Sequence, residues 1–103
     1  MKFKLWLEFE EWDKTISKWD EEDEYCNIEI VFENGDKYYL NIWTYKYLAR
    51  ASQEYLQNNE LYGDDDYIYA PDLFVRKLDR TLIENIVNQM AENGEFINFT
   101  KYL

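Results

Sequence analysis

An Asn-Gly step between two alternating apolar runs constrains this chain more than any other feature, because such a step tolerates the positive φ a tight hairpin needs. Cys26, Ile28, Ile30 and Phe32 precede Glu33-Asn34-Gly35-Asp36, and Tyr38, Leu40 and Ile42 follow it. A two-residue Asn34-Gly35 turn would set Ile30 opposite Tyr39 and Ile28 opposite Asn41, splitting the apolar residues between two faces. A three-residue loop, Glu33-Asn34-Gly35 with Gly35 left-handed, pairs Ile30 with Tyr38, Ile28 with Leu40 and Cys26 with Ile42. Because a one-residue slip flips a strand's faces, the second register is expected.

The flanking segments read as an α+β domain. Lys2 to Glu10 alternates, with Phe3, Leu5, Leu7 and Phe9 on one face, so a half-buried strand is expected. Trp12, Ile16 and Trp19 recur at helical spacing and suggest a short amphipathic helix between Glu11 and Asp20. The five acids from Asp20 to Glu24 repel one another and predict an exposed loop. Thr44 is a good N-cap for a helix running to Asn58, with Tyr45, Leu48, Ser52, Tyr55 and Leu56 on its packing side. Tyr67 to Ala70 and Leu73 to Lys77 are β-like, but Pro71 between them lacks a backbone donor, so either two short strands or an edge strand with a bulge is expected. Asp79 or Thr81 then caps a helix with a Leu82, Ile83, Ile86, Val87, Met90 stripe, stopped by Asn93-Gly94. Phe96, Ile97 and Phe99 suggest a last short strand. The expected architecture is one domain over residues 1–103, a mainly antiparallel sheet built on a central hairpin with two helices packed on one face.

Composition enters through what it excludes. A chain of 103 residues can bury roughly 65% of its unfolded surface and fold without staples. Its single cysteine permits no internal disulfide, and no apolar run approaches the length of a signal-peptide core or a membrane span, so a cytoplasmic protein is expected. Without histidine, Ser-His-Asp and Cys-His arrangements and the commonest zinc ligand are all absent. The three glycines form no phosphate-cradling pattern, and Asp64-Asp65-Asp66 lacks the alternating ligand spacing and closing Glu of a calcium loop. No cofactor, metal or catalytic residue is expected, and Cys26, on the apolar face of the hairpin, reads as a packing residue.

The net charge of −11 is unevenly placed. Between Glu8 and Glu24 nine acids face only Lys14 and Lys18, a net of minus seven; between Glu60 and Asp66 four acids face no base; the rest balances. Such a surface repels nucleic acid and anionic membrane and attracts something basic. Aromatics, 19% of the chain, lie inside or beside these segments, and Tyr and Trp are common anchors of protein interfaces. One candidate partner-binding patch is Tyr62, Asp64, Asp65, Asp66 and Tyr67; the second is Trp19 with Asp20, Glu21, Glu22, Asp23 and Glu24. The plainer alternative is that Trp12 and Trp19 close the edge of the core while the acids keep the domain soluble.

A small acidic chain rich in Tyr and Trp, with a Pro71-Asp72-Leu73 turn, Arg80, an Ile83-Glu84 helix and an Asn93-Gly94 stop, resembles the immunity proteins of bacterial toxin systems. The resemblance is one of composition and topology and carries over no residue's role. It implies a non-enzymatic protein that neutralises a cognate toxin, often a nuclease with a basic groove, by meeting its Lys and Arg with carboxylates. Alternatives are a nucleic-acid mimic that blocks a DNA- or RNA-binding defence protein, a structural subunit whose aromatic surplus forms an assembly interface, and, least favoured, an enzyme acting through carboxylates.

Overall fold

The computed structural model of the chain describes residues 2–13, 15, 19–57 and 69–101. Among these residues four strands make one sheet: β1 (Phe3–Leu7), β2 (Tyr25–Phe32), β3 (Lys37–Thr44) and β4 (Leu73–Val75), in the spatial order β1-β2-β3-β4. Two helices accompany it, α1 (Tyr45–Gln57) and α2 (Arg80–Glu92). The fold is therefore α+β on a central hairpin.

The β2–β3 hairpin adopts the three-residue-loop register. Cys26 pairs with Ile42, Ile28 with Leu40 and Ile30 with Tyr38, and the loop closes through Gly35 N–H donating to the Phe32 carbonyl at 2.9 Å. Gly35 sits at φ +94, where a side chain would be strained. The resulting face is dry: Cys26, Ile28, Ile30, Leu40 and Ile42 are all at most 2% exposed. Ile83, Val87 and Met90 of α2 join this cluster. At the turn end the rings of Phe32, Tyr38 and Phe96 close the core, with centroids 4.9 to 5.9 Å apart.

The sheet is antiparallel except at β4, which runs parallel to β3. The connection between them contains α1, and a crossover of that kind is what a parallel neighbour requires. β4 is a short edge strand that Pro71 precedes rather than interrupts, which keeps the missing N–H out of the ladder. Tyr69 and Ala70 lie outside any strand, and the expected Tyr67–Ala70 strand otherwise falls beyond the described residues.

Four local expectations are corrected. β1 ends at Leu7, and Glu8–Glu11 form a 3-10 turn that still buries Phe9; over so few residues a strand and a tight turn place the same side chains inward. Of the expected Glu11–Asp20 helix, Lys14, Ile16, Ser17 and Lys18 lie outside the described residues, while Trp12, Asp13, Thr15, Trp19 and Asp20 are not helical. Phe96 to Phe99 is not a strand: Gly94 at φ +68 turns the chain into a 3-10 helix, Glu95–Asn98, that plugs Phe96 into the core. On α1, Tyr45 and Leu56 are exposed, at 58% and 76%, and Ala51 is the buried residue. The helix leaves the end of β3 by leaning Tyr47 on Trp43 and Tyr25, with centroids at 5.1 and 4.8 Å.

Candidate functional site: an acidic, aromatic-walled pocket

Where β1 breaks into its 3-10 turn, the strand ladder loses a partner. β1 pairs Leu7 with Ile28, so the next position sets Glu8 against Asn27. There the Glu8 side chain stands in for the backbone: Oε1 accepts the Asn27 N–H at 2.9 Å. Across the start of β2, Glu24 Oε1 accepts the Tyr25 N–H at 3.1 Å. These two carboxylates, with Trp12, Trp19, Tyr25 and Asn27, line a pocket of about 420 Å³.

The walls are ordered by packing. The Trp12 and Trp19 rings meet edge to face, 5.4 Å apart at 88°, and Trp19 also touches the buried Phe9 ring at 5.9 Å. Both indoles are half-buried against the core, so each closes the edge of the core with one surface and lines the pocket with another. Tyr25 is held from behind by Tyr47, over whose ring the Arg50 guanidinium lies at 5.3 Å.

The acidic run beside the pocket is a loop, as expected, but its mutual repulsion is offset. Asp23 N–H donates to the Asp20 carbonyl and Glu22 N–H to Asp20 Oδ1, both at 2.9 Å, making a tight turn. Three of its acids meet cations: Asp23 pairs with Arg50 at 3.1 Å, Glu22 with Lys46 at 3.5 Å, and Glu21 with Lys77 at 4.0 Å. The Glu21 carbonyl accepts the Leu78 N–H at 2.7 Å, and Thr44 exchanges bonds with Glu24 on both its backbone and its hydroxyl. Cations from α1 and from the segment after β4 thus hold the turn in place.

Of the residues expected to bind a partner, Trp19 and Glu24 line the pocket, Asp20 shapes the turn beside it, and Glu21, Glu22 and Asp23 point their charge at the protein's own cations. Tyr62, Asp64, Asp65, Asp66 and Tyr67 lie outside the described residues. Glu8 and Asn27 join the pocket without having been singled out from sequence. Their signal was the register of β1 on β2, which follows from matching Leu5 and Leu7 to Ile30 and Ile28.

Cys26 is wholly buried near the pocket. Burial pushes its thiol up to about 12, and the nearby Glu8 and Glu24 carboxylates act in the same direction. It is a packing residue. Among the described residues no group of three or more Cys, Asp or Glu side chains is placed to hold a metal ion, and no helix is long and apolar enough to cross a membrane. A larger open depression of about 890 Å³ follows the free edge of β1, lined by Lys2, Lys4 and Arg80 but also by Glu33 and Glu84. Arg80 is committed there, donating to both Glu10 oxygens at 2.6 and 2.9 Å, to Glu84 at 3.0 Å and to the Leu5 carbonyl at 3.2 Å.

Set against protein-family models, curated proteins and solved structures, the chain matches none.

Proposed function

We propose that this is a cytoplasmic immunity-type protein that binds a basic toxin domain and neutralises it by occupying the toxin's polyanion groove. The observation that carries the reading is the placement of charge. Glu21, Glu22 and Asp23 are matched by Lys77, Lys46 and Arg50, whereas the pocket lined by Glu8 and Glu24 has aromatic walls and, among the described residues, no cation in its lining. Unmatched carboxylates around rigid rings suit capture of Lys and Arg: the field speeds encounter and the rings supply contact area. The protein's part in such a mechanism is steric and electrostatic, with no bond made or broken.

The test is co-purification and activity with the toxin-domain protein encoded beside this chain. The expected result is a stoichiometric complex whose on-rate falls steeply as salt rises from 50 to 500 mM, together with loss of toxin activity. A neighbouring toxin that stays fully active with a molar excess of this protein sinks the reading. The mimic reading differs in expecting capture of many basic nucleic-acid-binding proteins with similar affinity.

A further inference from the structure

Taking the immunity reading one step deeper, and resting on it for the identity of the partner, we infer that the pocket formed by Glu8, Trp12, Trp19, Glu24, Tyr25 and Asn27 is the receptor for a single arginine side chain of the basic partner. Three features of the pocket select that occupant. The two indoles meet edge to face at 88°, so the faces of the two rings form a right-angled corner, and both rings line the pocket. A planar guanidinium stacks on such a face, with its positive charge over the ring's negative quadrupole.

The carboxylates supply the second feature. Each spends one oxygen on a backbone N–H, Glu8 on Asn27 and Glu24 on Tyr25. That bond fixes the orientation of each carboxylate and leaves its Oε2 for a ligand. A guanidinium carries donors in a fork that can reach two acceptors at once, which an ammonium on a flexible stem cannot do with the same geometry.

The third feature is the charge around the pocket. Glu21, Glu22 and Asp23 of the neighbouring turn are paired with Lys77, Lys46 and Arg50, whereas among the described residues Glu8 and Glu24 in the pocket, and Asp20 beside it, meet no cation and present their charge to an incoming one. Arg50 sits behind the wall, on the Tyr47 ring, and bonded to Asp23 and Glu54, so this arginine of the protein itself is committed elsewhere.

The probe is N-acetyl-arginine methylamide, titrated into the 15N-labelled protein beside its lysine and norleucine counterparts. Saturable shifts of the Trp12 and Trp19 indole N–H signals and of the Tyr25 and Asn27 amides are expected, strongest for the arginine compound and absent for norleucine. A Glu8→Gln, Glu24→Gln double variant keeps both backbone hydrogen bonds and so the folded spectrum, and should weaken binding by about tenfold or more. Equal shifts with norleucine, shifts untouched by the double variant, or no saturable shift at these four sites would overturn the inference. So would movement of the same signals on dilution of the protein alone, which would make the occupant a second copy of the chain. A protein that neutralises its toxin yet fails this titration refutes the pocket and leaves the immunity reading standing. One that takes arginine in the pocket and leaves the toxin active does the reverse.

Discussion

Thr44 and Cys26 show how much of this structure turns on single buried groups. Thr44 is fully buried, and its hydroxyl accepts two N–H groups, from Glu24 at 3.0 Å and from Tyr47 at 3.2 Å. One side chain thereby caps α1 and anchors the end of the acidic turn. Thr44→Val keeps the shape and orphans both donors, so a loss of about 2 kcal/mol is expected, with most of it restored in Thr44→Ser. Urea unfolding of the three proteins checks this. Cys26 makes a pH prediction. Its folded pKa of about 12 lies above the ordinary value of 9.0, so the neutral thiol favours the native state below pH 9. That contribution drains away as pH rises from 9 toward 12, by about 1.4 kcal/mol per unit. The wild-type unfolding midpoint should therefore fall faster than that of Cys26→Ala across pH 9 to 11, and parallel slopes would refute the assignment.

At the scale of elements, Arg80 joins pieces far apart in sequence. From the first turn of α2 it reaches Glu10 in the 3-10 turn and the Leu5 carbonyl on the outer edge of β1, and these charged partners hold its pKa well above the ordinary guanidinium value. The pairs are substantially exposed, so screening limits their worth, and Arg80→Met should cost about 1 to 2 kcal/mol in urea unfolding. The same variant bares a strand edge, so concentration-dependent light scattering absent from wild type is expected. The hairpin, its register and the α2 stripe could be read from the chain because each rests on local pattern: alternation, a turn glycine, an Asp79 cap and a Gly94 stop. The pocket could not, because Glu8 and Asn27 meet only through strand pairing nineteen positions apart. The loop at Asp20–Glu24 is legible in the sequence, but the pairing of its charges is not, for a related reason. Repulsion within Asp20–Glu24 is visible in sequence, but the Lys46, Arg50 and Lys77 that offset it arrive by tertiary structure. The sequence around Phe96 reads as a strand because a buried aromatic gives the same local signal in a strand or a tight helix.

Over the whole molecule the charge works against folding as well as for binding. The seven ion pairs among the described residues have side chains 25% to 63% exposed, so each contributes about 0.2 to 1 kcal/mol at best and loses part of that in salt. Against them stands a net charge of −11, whose self-repulsion salt also weakens. The excess is set by net charge and the pairs by individual geometry, so the repulsive part should dominate the response. The melting temperature is then expected to rise by about 4 °C between 10 and 500 mM NaCl, which in a domain of this size is under about 1 kcal/mol. Removing the acids that meet no cation among the described residues, by Glu8→Gln, Asp20→Asn and Glu24→Gln, should raise the low-salt melting temperature and flatten its salt dependence. If those acids are kept for a partner, the same triple variant must also lose affinity for the toxin domain, so stability and binding move in opposite directions. A triple variant that is more stable and binds as well would show that these carboxylates serve solubility alone. One that is less stable would place them in the fold rather than on its surface.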